Sequence, residues 1–367
     1  MPTTGGIMMF PTSSLKIIQL NSMKIWAGGE VHVVLLCNDL RALGETVTLS
    51  CRPGTPIDQK AREANIPVLN LPLSGSLDLK SAWQLAKYCR ENSIDIIHAH
   101  TGRDYWLATW TKLFYPKLKL VITRHIRCPL RNSAIHQWAY QKVDKLIAVS
   151  QAVRSCITNL PSSKIAVIYN GIDLERFSTA HSGILRKELN ISQETKIIGM
   201  VGRVNPVKGH ETLIESIPEI RAKFPDTVFV VIGGGDYIAT LQTISKDVVF
   251  LGMRSNVPEL MKDLDVFVLA SWDEPFGLVT VEAMAAGIPI VATNTGGTLE
   301  IITNEETGLL VSPKDAKQLA QAVIRILTDK NLADKLRTNE VIHSKNFSIK
   351  EMALQIRKLY YEVLGKD

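Results

Sequence analysis

Two carboxylates and two cations in the second half of a 367-residue chain have the types and spacing to handle a diphosphate ester. The carboxylates bracket Glu274-Pro-Phe-Gly-Leu-Val-Thr-Val-Glu282, which follows a buried-looking apolar run, Val266 to Leu269. A helix opening at Phe276, Gly277 and Leu278 would present free N–H groups and its dipole at the carboxyl edge of a sheet, an anion site that needs no metal. Glu282 lies eight residues beyond Glu274. At about 3.6 residues per turn that is roughly two turns, so the spacing predicts both carboxylates on one side of a cleft, each accepting hydrogen bonds from a separate sugar. The cations are in Gly202-Arg203 and Lys208-Gly209, directly after the apolar run Lys196 to Val201. An arginine fork and a lysine point charge on one loop can converge on a diphosphate and stabilise it as it departs. No protein nucleophile is then required.

Other candidates read as structural. Gly233 to Gly235 lacks the G-x-G-x-x-G spacing of a phosphate cradle and reads as a turn that clears space. Asp263-Leu-Asp265 formally resembles a D-x-D metal element, but Asp265 directly precedes a buried strand, so a capping role is predicted and no catalytic metal. Glu30 and His32 read as ordinary helix-face residues, and His98 and His100 as hydrogen-bonded structural groups.

These residues are positioned by short β-branched runs that alternate with helical segments, the pattern of βα units around parallel sheets. The candidate strands of the first half are Leu15 to Leu20, Thr46 to Ser50, Ile94 to His98, Leu120 to Thr123, Lys145 to Val149 and Ala166 to Tyr169. Those of the second are Lys196 to Val201, Thr227 to Ile232, Val248 to Leu251, Val266 to Leu269, Ile288 to Ala292 and Gly308 to Val311. Each half opens with a strand, a glycine-containing loop (Asn21 to Gly29, Gly202 to Gly209) and a helix, which predicts two similar α/β doubly wound domains meeting between Asn170 and Gly183. The helical segment Ile349 to Leu364 could pack on the second domain or cross back to the first.

Composition agrees with a folded chain: 46% of residues are hydrophobic and 21% charged, and the length suits two cores. Five dispersed cysteines without a C-x-x-C pair argue against a disulfide framework or zinc cluster. Neither a secretion signal nor an 18-residue apolar run is visible, so a cytoplasmic location is expected. The formal charge of +6 is uneven: residues 1 to 180 hold 21 Lys and Arg against 12 Asp and Glu, the remainder 21 against 24. The excess concentrates in residues 101 to 150, interleaved with Tyr105, Trp106, Trp110, Phe114, Tyr115, Trp138 and Tyr140. Basic and aromatic side chains together suit an anionic membrane surface or a lipid-linked acceptor. No nucleic-acid-binding motif accompanies them.

Taken together, the Glu-x7-Glu element, Gly-Arg followed by Lys-Gly, and Gly28-Gly29-Glu30 resemble the family 4 (group 1) retaining glycosyltransferases. His98-Ala-His100, Thr123-Arg-His125, Asn170-Gly-Ile-Asp173, Gly233-Gly-Gly235 and Gly296-Gly297 with Glu300 match in order and spacing, and the resemblance covers residues 15 to 345. It implies the GT-B fold, two Rossmann-like doubly wound parallel-sheet domains facing a cleft. Residues 1–177 would take the acceptor, residues 178–348 the nucleotide sugar, and 349–367 would form a C-terminal helix. Arg203 and Lys208 would hold the diphosphate, Glu282 the ribose hydroxyls, and Glu274 with backbone near Phe276 and Gly277 the transferred sugar. Gly28, Gly29, Gly202 and Leu278 would border the donor, and His125 would lie near the reacting sugar. The expected reaction moves a hexose from a nucleoside-diphosphate sugar, used as substrate and with no cofactor, to a glycan or lipid-linked hydroxyl. Retention without a metal and work at the cytoplasmic face of the inner membrane, in envelope polysaccharide or lipopolysaccharide synthesis, complete the expectation. A nucleotide-sugar epimerase, a catalytically silent nucleotide-sugar-binding module and a nicotinamide-dependent oxidoreductase are the competing readings.

Overall fold

The computed structural model describes residues 14–366; Asp367 and the stretch before Ser14, where a secretion signal would stand, lie outside them. Continuous apolar runs such as Ile17-Ile18 and Val228-Phe-Val-Val-Ile232 suit strands buried on both faces, and they form two all-parallel sheets. The first contains β1 (Lys16–Asn21), β2 (Thr46–Cys51), β3 (Val68–Asn70), β4 (Ile96–Ala99), β5 (Lys119–Arg124), β6 (Lys145–Ala148) and β7 (Ile165–Val167), in the order β3-β2-β1-β4-β5-β6-β7. The second contains β8 (Lys196–Val201), β9 (Thr227–Ile232), β10 (Val248–Gly252), β11 (Val266–Leu269), β12 (Ile290–Thr293) and β13 (Leu309–Val311), in the order β10-β9-β8-β11-β12-β13. Both are doubly wound, and the order in which strands are added reverses once in each, between β1 and β4 and between β8 and β11.

Twelve of these strands coincide with the expected runs to within two residues at either end. The addition is β3, a three-residue edge strand behind Pro67 that pairs with β2 through Leu49 and Val68. So short a run carries almost no periodicity.

The helix Ile349–Leu364 crosses back to the first sheet. Its Ile349, Met352, Ala353, Ile356, Leu359 and Tyr360 pack with Val33, Leu36 and Leu40 of the helix Gly28–Ala42. The spacing of these residues makes a single apolar face. Ser348 caps the helix by accepting from the Glu351 N–H at 3.1 Å. Beneath it, Gln19 Nε2 donates to Tyr360 Oη at 3.0 Å, and Arg357 pairs with the buried Glu45 at 2.5 Å. The chain therefore passes between the domains twice, and the two passages are stitched together: Ile172 N donates to Phe347 O at 3.0 Å, and Ile349 N to Ile172 O at 2.9 Å.

Candidate active site

In a doubly wound sheet the carboxyl ends of the strands on either side of the reversal open into a crevice. Arg203 and Lys208 follow β8, and Glu274 follows β11, so they occupy the two walls of one such crevice. The Arg203 loop is seated by backbone bonds, Gly202 N to Ile232 O and Val204 N to Gly234 O, both 2.9 Å. A Cβ at Gly233 or Gly235 would lie 1.9 Å from the carbonyl oxygen of Gly202 or Val204. The glycine triplet is thus the seat of the arginine loop, a space-clearing turn.

Lys208 Nζ reaches Glu274 Oε2 at 2.7 Å, and Ser271 Oγ donates to the same oxygen at 2.9 Å. Glu274 is buried, and its carbonyl accepts from Gly297 N at 2.8 Å. The loop that carries the carboxylate is therefore fixed from both sides before any ligand arrives.

The helix after it starts later than the sequence suggested. Gly277, at φ +104°, is its cap, and the helix runs Leu278–Ala286. Phe276 precedes it, buried with its ring 5.9 Å from that of Tyr169 and 5.8 Å from that of Phe347. Its side chain serves packing, so only its backbone can belong to a ligand site. Glu274 stands outside the helix, so the two-turn relation to Glu282 does not hold; the left-handed glycine breaks the periodicity between them. Thr280 N and Val281 N both turn to Gly277 O. The N–H groups of Leu278 and Val279 precede the first helical donors and point toward the helix entrance, where an anion can sit.

Glu282 lies one turn inside that helix, against the short helix Leu174–Ser178 of the domain connector. Burial pushes its carboxyl up to about 7, and Arg176 offsets part of the rise. Asp263 and Asp265 sit at the opposite, amino edge of β11. Asp263 accepts from Gly183 N at 2.5 Å and Leu185 N at 2.7 Å, and Asp265 pairs with Arg186 at 3.0 Å and accepts from Ile197 N at 2.9 Å. These are capping and pairing roles.

In the facing domain Gly28 and Gly29 open the helix Gly28–Ala42 after β1, with Ala27 as its cap and Glu30 Oε2 accepting from Ala27 N at 3.0 Å. A Cβ at Gly28 would lie 3.4 Å from Leu278 Cδ1 across the cleft, whereas one at Gly29 would meet nothing within 4 Å. The two helix entrances thus face each other. His125 follows β5, and burial holds its imidazole neutral, with a pKa lowered to about 4. It is therefore a hydrogen-bonding group at neutral pH, with no standing positive charge. Its neighbours are His32 and His100, at ring separations of 4.9 and 5.9 Å. Both read as structural in the sequence, because neither a helix-face position nor a strand-end position reveals that three imidazoles converge.

The domains are clasped beside the crevice. Glu300 accepts from Gln151 N at 2.7 Å and Ala152 N at 2.8 Å, Ser150 Oγ donates to Pro275 O at 2.6 Å, and Arg127 pairs with Asp273. In the sequence Glu300 is legible only as part of a motif, since the helix it caps, Gln151–Ser155, is on the other domain. Glu300→Ala is expected to weaken closure: small-angle scattering should show a larger radius of gyration for the variant than for the wild type under the same conditions.

The chain matches known proteins along most of its length. Residues 26–176 match the model of Glycosyltransferase Family 4, and residues 182–341 that of Glycosyl transferases group 1. An uncharacterized glycosyltransferase of Methanocaldococcus jannaschii is 31% identical, with 74% of this chain and 77% of that protein covered. The UDP-Gal:alpha-D-GlcNAc-diphosphoundecaprenol alpha-1,3-galactosyltransferase of Escherichia coli is 28% identical over 87% of this chain and 89% of its own length. Among solved structures, Anabaena HepE in complex with UDP and glucose superposes with a TM-score of 0.81 at 24% identity, covering 94% of this chain and 99% of that one. Two Rossmann-like sheets facing a cleft, with cations and carboxylates at the switch point of the second, are the GT-B arrangement, and the chain belongs to the family 4 (group 1) glycosyltransferases.

Proposed function

We propose that the protein transfers a hexose, with retention and without a metal, from a nucleoside-diphosphate sugar to a hydroxyl of a lipid-linked or glycan acceptor. The observation that carries this reading is the placement of Arg203, Lys208 and Glu274 on both walls of one switch-point crevice, beside the entrance of the helix Leu278–Ala286. Arg203 and Lys208, with the N–H groups of Leu278 and Val279, receive the diphosphate. Glu274 engages Lys208 and Ser271 through Oε2, leaving Oε1 to accept from a hydroxyl of the transferred sugar. Glu282 takes the ribose hydroxyls. Gly202 gives the diphosphate room to approach, and Gly28 and Gly29 border it from the other domain.

The bond between the anomeric carbon and the leaving phosphate oxygen breaks as the acceptor oxygen bonds the same face of that carbon. The acceptor's proton passes to the departing phosphate oxygen, whose charge the two cations hold. His125, neutral, bonds a sugar hydroxyl near the reacting carbon. Residues 1–177 form the acceptor half and 178–348 the donor half, with 349–367 returning to the former and the connector Asn170 to Gly183 serving as hinge. Closure about it excludes water that would otherwise hydrolyse the donor.

The decisive experiment supplies UDP-, GDP- and ADP-sugars with a panel of isoprenoid-diphosphate sugars in excess chelator. NMR of the product should show the donor's anomeric configuration. An inverted product defeats retention, activity abolished by chelator and restored by magnesium or manganese defeats metal independence, and donor conversion without any acceptor points to an epimerase.

The acceptor class rests on the first domain's surface. Trp106, Trp110 and Trp138 form a ladder with ring separations of 5.9 and 5.5 Å, and nearby Leu77 and Trp83 are 75% and 54% exposed. Among the described residues no helix is long and apolar enough to cross a membrane. A basic, aromatic face suits peripheral docking on the cytoplasmic leaflet, where an anionic lipid-linked sugar is presented, as the substrate named for the Escherichia coli relative would be. Flotation with anionic vesicles should recover the protein at low salt and lose it at high salt; equal recovery with neutral vesicles removes the electrostatic argument.

A further inference from the structure

We propose that His32, His100 and His125 bind one divalent ion of the zinc class on the acceptor wall of the cleft, and that the bound ion blocks sugar transfer by withdrawing His125. The second half of this statement rests on the role given above to His125; the first does not.

The three side chains come from three different elements: the helix Gly28–Ala42 and the loops that follow β4 and β5. One ring nitrogen from each lies within 4.8 Å of the others. His32 is 2% exposed and His100 4%, yet neither nitrogen of His32, nor Nδ1 of His100, nor Nε2 of His125 has a hydrogen-bond partner. Buried polar atoms in folded proteins are almost always satisfied. Here four ring nitrogens are unsatisfied, and one from each ring comes within 4.8 Å of the other two.

The orientation of His100 follows from a chain of hydrogen bonds that uses every proton once. Gln19 Nε2 donates to Tyr360 Oη at 3.0 Å, so the single tyrosine proton goes to His98 Nδ1 at 2.6 Å. His98 must then carry its proton on Nε2, which it gives to Thr123 Oγ1 at 2.6 Å. The remaining atom of the Gln19 amide, Oε1, accepts from His100 Nε2 at 2.7 Å. His100 is thereby held as the Nε2–H tautomer, with the lone pair of Nδ1 directed away from Gln19. Metal-binding histidines are oriented in this way by an acceptor on their second nitrogen.

Burial keeps all three imidazoles neutral, the form that ligates. Zinc–nitrogen bonds of about 2.0 to 2.1 Å require tetrahedral nitrogens about 3.3 Å apart, so an ion draws the rings together by about 1.5 Å at most. Imidazole ligands select zinc, copper, nickel or cobalt over calcium and magnesium. Three protein ligands leave a fourth position, and it opens toward the cleft, because His125 alone of the three is partly exposed. A water or an acceptor oxygen would complete the site.

The test uses the full chain, stripped with chelator and titrated with Co²⁺ while visible absorption is recorded. One Co²⁺ per chain, displaced by one equivalent of Zn²⁺, is expected, and the spectrum should vanish in both His32→Asn and His100→Asn. Circular dichroism establishes that the variants fold. Tyr360→Phe, which leaves the three ligands intact but releases the tautomer, should weaken binding by about tenfold. Zn²⁺ should inhibit transfer over the concentration range in which it displaces Co²⁺. A folded wild type that gives no cobalt spectrum, or binding that survives in both histidine variants, overturns the site. Stoichiometric binding without inhibition overturns the part played by His125 while leaving the site intact, and neither result depends on which donor is used.

Discussion

Lys208→Ala is expected to lower the turnover of sugar transfer by about 10²- to 10³-fold, about 3 to 4 kcal/mol of transition-state stabilisation, the scale on which a preorganised charge at a developing anion acts. Lys208 also holds Glu274 at 2.7 Å, so the substitution leaves a buried carboxylate with Ser271 alone, and a fall in stability accompanies the fall in rate. The double variant Lys208→Met with Glu274→Gln separates the two effects: the charge imbalance is gone, so thermal stability should recover, while transfer should remain low. Arg203→Ala makes the complementary case. Its exposed guanidinium forms no ion pair among the described residues, so a similar loss of rate should come with an unchanged melting temperature. Wild-type turnover in Lys208→Ala and Arg203→Ala would remove the diphosphate from this crevice.

Glu282→Gln should act on stability and catalysis in opposite directions. The folded-state pKa of Glu282 is about 7, above the ordinary 4.5, because burial favours the protonated carboxyl. Its contribution to stability is therefore fully present below pH 4.5 and is lost as pH rises through 7. The neutral glutamine avoids that loss. The variant should match the wild type near pH 4.5 and exceed it at pH 8 by about 1 to 2 kcal/mol, a figure reduced from the full shift because the carboxyl is partly exposed. Donor binding runs the other way. Ribose hydroxyls donate to the ionised form, so the wild-type KM for donor should fall by about tenfold between pH 6 and pH 8. In Glu282→Gln it should be high and independent of pH. A flat wild-type profile would show that Glu282 does not meet the ribose.

Much of this architecture could be read from the residues. Buried parallel strands are continuous apolar runs, and twelve of thirteen were visible for that reason, as were the cations at the end of β8. Geometry that a single residue or a distant partner decides is not legible in this way. Gly277 sets the helix start at Leu278 by adopting a left-handed conformation, so the two-turn spacing between Glu274 and Glu282 does not follow helical periodicity. Periodicity in Ile349 to Leu364 marks an apolar face but not which sheet receives it; the choice is made by Glu45, Gln19 and His98, more than 250 residues away in sequence. His32 has no motif of its own, the motif that holds His100 does not show what the ring faces, and Glu300 caps a helix on the other domain. Charge and type were legible at these positions, while partnership was not.

The returning helix also governs the order in which the molecule can be built. Tyr360 and its neighbours close the floor beneath β1 and β4, so the amino-terminal lobe lacks part of its interior until Tyr360 has left the ribosome. At about 5 to 20 residues per second, the roughly 190 residues between β7 and Tyr360 represent about 10 to 40 s of waiting. During that interval the carboxyl-terminal lobe emerges and can fold first. Termination ahead of Tyr360 would leave a chain whose first lobe, and not merely its later part, is unfinished.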